Sequence, residues 1–225
     1  MYGFVTGPLL WLSFGIFFIG CVYRIIWYFK GLAWNLDRVA YKAHMSHGIK
    51  GAIRSIFFWL IPFGSHGWRA KPGMTILFFS FHIGLVLTPI FLLAHNIILK
   101  ERWGFSLWTL PEGMADGLTI TVMVAFVLLV FRRIALPEVR ILTTAYDYLL
   151  LVITVAPFVT GYVASHQFAG YNVWLIVHIL CGEIFLVAIP FTKLSHFVLF
   201  FCSRAQLGMD FGIKRGGMKG KGFAW

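Results

Sequence analysis

The chain has 225 residues, of which 60% are hydrophobic and only 12% charged, with a mean hydropathy of +0.83. Soluble domains run at roughly 45–50% apolar and about 25% charged, so composition excludes a water-soluble core as the organising principle. A formal net charge of +11 would raise nucleic acid as a partner for a soluble chain. Here the basic residues alternate with apolar runs, which makes the lipid bilayer the partner and leaves no case for nucleic acid.

Five stretches approach the roughly 20 apolar residues needed to cross hydrocarbon. They lie approximately at 4–28, 74–99, 117–131, 142–164 and 173–200. Residues 1–30 form the first span. It has no basic stretch before it and no small-residue cleavage site after it, so it reads as a retained helix and not a signal peptide. Residues 31–72 are a basic segment in which Ile49, Ile53, Ile56, Phe57 and Leu60 recur at helical spacing beside Lys50 and Arg54. That is the pattern of an amphipathic helix lying at a membrane interface or docking a partner.

Residues 73–201 hold the other four spans. The third reaches full length only when 131–136 is added, which brings Arg132 and Arg133 to its boundary, where long basic side chains snorkel. Residues 202–225 read as a basic, glycine-rich cytoplasmic tail, flexible from Asp210 onward. Of the 19 Lys and Arg, only Lys100 and Arg102 fall on the side opposite the rest. Loops rich in these residues stay cytoplasmic. The expected fold is therefore an all-α membrane protein, a bundle of five transmembrane helices with its N-terminus outside and its C-terminus cytoplasmic.

Position sorts the histidines. His44, His47 and His66 lie in the basic segment, where a solvated imidazole suffices, and His166 lies at the outer end of span four. His82 and His95 fall in span two, His178 and His196 in span five. Ionisable residues at membrane depth are costly and mark function. With alternating helix directions, His82 and His196 share the cytoplasmic side and His95 and His178 the outer side, so two pairs can form at two depths.

A pair of imidazoles from facing helices fills both axial positions of haem iron, the arrangement of an electron carrier. On a continuous helix His178 and His196 lie about five turns apart, on one face and roughly 27 Å along the axis. His82 and His95 fit less well, at about 3.6 turns and roughly 140° around the helix. Pro89 between them is expected to change that phase. The cysteines Cys21, Cys181 and Cys202 form no Cys-x-x-Cys or Cys-x-x-Cys-His, so covalent haem attachment is not expected.

Three blocks carry a resemblance: Phe81-His82-Ile83-Gly84; Arg132-Arg133 followed by Pro137-Glu138-Val139-Arg140, Thr143-Thr144 and Asp147; and His178 followed by Pro190-Phe191-Thr192-Lys193-Leu194-Ser195-His196. In order and span number, residues 70–200 resemble the cytochrome b (gamma) subunit of respiratory nitrate reductase. The long basic segment and the tail are more similar to the small cytochrome b subunits of transmembrane redox complexes in sulfate-reducing bacteria. The resemblance implies two haem b groups, one held by His82 and His196 and one by His95 and His178. His166 is the alternative ligand should His95 not serve. It also implies a cytoplasmic iron-sulfur subunit, other membrane subunits and a periplasmic multihaem cytochrome c as partners, with menaquinone as a further ligand. Asp147 and Glu183 are the acidic residues inside spans. Asp147 is expected to pair with Arg140 or a neighbour, while Glu183 is the better candidate for proton handling beside a quinone. The expected function is electron transfer across the membrane; the alternative is a haem-free anchor for a multi-subunit complex.

Overall fold

A computed structural model describes residues 2–32, 45–168 and 170–214. They form helices α1 (Tyr2–Lys30), α2 (Met45–Leu60), α3 (His66–Ala70), α4 (Pro72–Phe91), α5 (Leu93–Trp103), α6 (Glu112–Ala135), α7 (Pro137–Arg140), α8 (Ala145–Ser165), α9 (Tyr171–Phe191) and α10 (His196–Lys214). No strand occurs among the described residues. Helices α1, α4, α6, α8 and α9 are long and apolar enough to cross a membrane. Ile19, Phe131 and Val173 are 74%, 63% and 65% exposed. In water each such side chain would forgo about 1.5–3 kcal/mol of burial, so a lipid surround is what this surface fits.

The chain forms two compact units, Met1–Leu12 with Ile76–Phe185, and Ser13–Thr75 with Leu186–Trp225. The core of the first is Phe81, Val122, Ala125, Val155 and Phe158, with Leu77, Leu85 and Met123 packed against it. Gly84 permits α4 to approach α6, because a Cβ there would stand 2.5 Å from Val122 Cγ2 and 3.0 Å from the Leu118 carbonyl. Helix α8 opens with a capping box. Asp147 Oδ2 accepts from the backbone N–H and the hydroxyl of Thr144 at 2.8 and 2.9 Å, and Thr144 in turn caps the helix. Of the two expected arrangements for Asp147, pairing with Arg140 or with a neighbour, this capping supplies the second.

In the second unit the amphipathic segment is helical as expected, and α2 lies against α10. A Cβ on Gly51 would stand 2.1 Å from the Gly208 carbonyl, and one on Gly212 would stand 2.6 Å from that of His47. Glycines on both helices are what let the two backbones meet. The opposite face of α2 presents Ile49, Ile53 and Phe57, all exposed. Helix α10 continues through Gly208 and Gly212 to Lys214, so Asp210–Lys214 are helical and not part of a flexible tail. The expected tail beyond Lys214, and His44, lie outside the described residues.

Candidate functional site

Helix α4 ends early for a reason its sequence carries. Pro89 sits in its last turn, and Leu92 takes an extended conformation (φ −67°, ψ 133°) before α5 begins. A helix end leaves its last four carbonyls without intrahelical donors. Here every one is satisfied. The Thr88 carbonyl accepts from Leu92 N–H at 2.9 Å and that of Phe91 from Leu110 N–H at 2.8 Å. The Ile90 carbonyl accepts from the Asn96 amide at 2.8 Å, and the Pro89 carbonyl lies 2.8 Å from His95 Nδ1. Asn96, 1% exposed, also accepts from Leu107 N–H at 2.8 Å and so ties down the segment after α5.

His95 is therefore not on span two, as expected, but on a separate short helix beyond its end. The break removes the phase problem, since arithmetic for one continuous helix no longer relates His95 to His82. Desolvation lowers the His95 pKa, opposed by the bond to the Pro89 carbonyl, and the net direction favours the neutral ring.

His178 on α9 reaches the opposite wall. Its Nδ1 lies 2.9 Å from the Pro157 carbonyl of α8. Gly161, one turn on, makes the room: a Cβ there would be 2.8 Å from His178 Cε1 and 2.9 Å from Nδ1. Together these contacts bring the His95 and His178 rings to a centroid separation of 6.0 Å, with their planes 14° apart.

That separation has a chemical meaning. With metal–nitrogen bonds of about 2 Å and roughly 1 Å from each nitrogen to its ring centre, two imidazoles on opposite sides of one metal have centres about 6 Å apart. Each Nδ1 faces a carbonyl, which accepts only from N–H. Both rings therefore carry their proton on Nδ1 and keep a lone pair on Nε2, the tautomer of a metal-bound histidine whose other nitrogen is held by the protein. Among the described residues no group of three or more His, Cys, Asp or Glu converges as a metal site. Two imidazoles alone undersupply a bare ion. They would suit an iron that arrives with four porphyrin nitrogens of its own.

His82 and His196 show the same tautomer. His82 Nδ1 lies 2.8 Å from the Phe78 carbonyl one turn back, and the ring stacks on Phe78 at 4.0 Å. His196 Nδ1 lies 2.9 Å from the Lys193 carbonyl. His196 is not inside span five, as expected. Helix α9 ends at Phe191, the Thr192 hydroxyl accepts from Leu194 N–H at 3.1 Å, a 3-10 turn covers Lys193–Ser195, and His196 opens α10. The five-turn spacing of one unbroken helix therefore does not describe His178 and His196. His82 belongs to the first unit and His196 to the second, and each is described by its own surroundings.

The alternative ligand is engaged elsewhere. His166 Nε2 lies 3.4 Å from Asp116 Oδ2 and its Nδ1 3.0 Å from the Tyr162 carbonyl, so the ring is turned toward Asp116 and Tyr162. Between the two candidates for the outer position, this favours His95. Glu183 is 4% exposed with neither carboxylate oxygen hydrogen-bonded. The three cysteines are free thiols. The sequence reading missed Asn96, Gly161 and the proline carbonyls. The available signal was proline or glycine inside an apolar span, where a helix either breaks or makes space.

Over 226 residues the chain is 56% identical to a protein of Nitratidesulfovibrio vulgaris, with all of both chains covered. No family model matches it, and no solved structure matches it.

Proposed function

For this chain, which belongs to the same family as the Nitratidesulfovibrio vulgaris protein, we propose the function of a dihaem cytochrome b subunit of a respiratory membrane complex. The observation that carries the reading is the His95–His178 pair, with its 6.0 Å separation and both Nε2 atoms left with a lone pair. These two side chains hold the outer haem b, and the inner haem is assigned to His82 and His196 by the resemblance alone.

Bound haem iron supplies reversible one-electron exchange between its ferric and ferrous states. The chain contributes the rest. Two imidazoles per haem would leave oxygen and substrate no place to bind. The Pro89 and Pro157 carbonyls hold the outer imidazoles in one tautomer and orientation. Fixed ligands change little between oxidation states, which keeps the reorganisation on electron transfer small.

The basic residues set the proposed orientation, with α2 and α10 on the cytoplasmic side of a bacterial inner membrane. Electrons then pass between a donor at the outer face, either a periplasmic multihaem cytochrome c or menaquinol, and a cytoplasmic iron-sulfur subunit. Pigment analysis of the purified chain tests this reading. Two non-covalent b haems per chain, with a Soret band that shifts on reduction, are expected. A chain purified intact without haem would instead be a membrane anchor.

A further inference from the structure

Arg24 lies on α1, six residues before its end at Lys30. Gly20, one turn earlier, lets Pro190 of α9 close in: a Cβ at Gly20 would stand 2.6 Å from Pro190 Cβ. This approach aligns α1 with the turn that follows Pro190, and Arg24 Nη2 donates to Ser195 Oγ at 3.2 Å. Ser195 is 4% exposed and immediately precedes His196. The guanidinium also lies 4.9 Å from the Trp27 ring centre.

Among the described residues the charge itself is not balanced. Arg24 has no carboxylate within ion-pair reach among the described residues, and its Nε is buried without a hydrogen-bond partner. A guanidinium keeps its charge at any accessible pH and presents a planar fork of donors that matches a carboxylate. At membrane depth such a cation needs an anion. A residue that served only the headgroups would extend toward lipid. Arg24 instead turns inward, to the residue beside His196.

We infer that Arg24 and Ser195 form a carboxylate-binding site, and that its occupant is a propionate of the haem held by His196. The inference rests on the dihaem reading. The guanidinium takes up the propionate charge, and the Ser195 hydroxyl, fixed by Arg24, supplies a further donor. A lipid phosphate offers the same anionic oxygens, and the experiment separates the two.

The test compares protohaem with its dimethyl ester, which lacks the propionate charges, in the full chain held in nanodiscs. Each low-spin electron paramagnetic resonance signal is followed during haem loss to excess apomyoglobin. In the wild type the inner haem should be lost roughly ten- to a hundredfold faster as the ester, the usual worth of a hydrogen bond to a charged group. Arg24→Gln should lose the two forms at equal rates, with the outer haem unaffected. Unchanged discrimination in Arg24→Gln overturns the inference. If that variant does not retain protohaem at the inner site, uptake of the ester still supports the inference, because an unpaired buried carboxylate is then what bars the natural form. Uptake of neither overturns it. An effect of Arg24→Gln that follows the anionic lipid content and ignores esterification assigns the guanidinium to lipid and also overturns it. A wild-type chain without haem would instead fail the dihaem reading, before any comparison of haem forms.

Discussion

Gly161 on α8 stands directly against the His178 ring on α9: a Cβ there would come within 2.8 Å of Cε1 and 2.9 Å of Nδ1. The neighbour is a ring held by a bond to the Pro157 carbonyl, not the free end of a flexible chain. Gly161→Ala should displace the ring, at an overpacking cost of about 1–3 kcal/mol. The expected outcome is loss or broadening of the outer low-spin signal with the inner one retained. Two unaltered signals in Gly161→Ala would show that His178 ligates no iron.

His95 and His166 give a paired comparison. His95→Ala should remove the outer haem, since the His95 ring stands 6.0 Å from that of His178. His166→Ala should keep both haems, because its ring is turned toward Asp116 and Tyr162. Haem content per chain decides, and the reverse pattern would transfer the ligand role to His166.

Asn96 is a structural prediction independent of any cofactor. Its side chain satisfies the Ile90 and Leu92 carbonyls and the Leu107 N–H. Asn96→Leu fills similar space but strands those groups, at about 1–3 kcal/mol for each one that stays buried. Denaturant or thermal unfolding in detergent should show a lowered midpoint even in haem-depleted protein. An unchanged midpoint would mean that water replaces the amide at no cost.

Topology follows from the placement of basic residues. A reporter active only in the cytoplasm should work when fused after Trp225 and stay silent when inserted near Trp108. The opposite pattern would invert both haem assignments.

The donor is open to a kinetic test. The segment after α5 presents Trp108, which is 67% exposed and lies 6.0 Å from the Phe91 ring, while Trp103 packs edge-on against Trp11 at 5.3 Å. If menaquinol is the donor, a quinol analogue should reduce the haems rapidly and a quinone-site inhibitor should stop it. Rapid reduction by a periplasmic cytochrome c, with no response to the analogue, would identify a quinone-independent conduit.

The sequence by itself determined the five spans, the all-α class, the amphipathic α2 and the residues worth testing as ligands. Span hydropathy is a local sum, and an imidazole in hydrocarbon is conspicuous wherever it lies. Tertiary structure alone decided where the helices stop and which imidazoles meet. Pro89 announced a disturbance, but whether α4 kinks or ends at Phe91 depended on donors for its last carbonyls, and those come from His95, Asn96 and Leu110. The same holds after Pro190, where the Thr192 hydroxyl and a 3-10 turn give His196 a helix of its own. His95 and His166 were the two candidates for the outer position. What separates them is Asp116, distant in sequence from both, which lies beside the His166 ring, whereas the His95 ring lies 6.0 Å from that of His178. Likewise Gly212 read as part of a flexible tail, yet with Gly51 and Gly208 it makes the surface along which α2 and α10 approach, because only two backbones without Cβ atoms between them come that close.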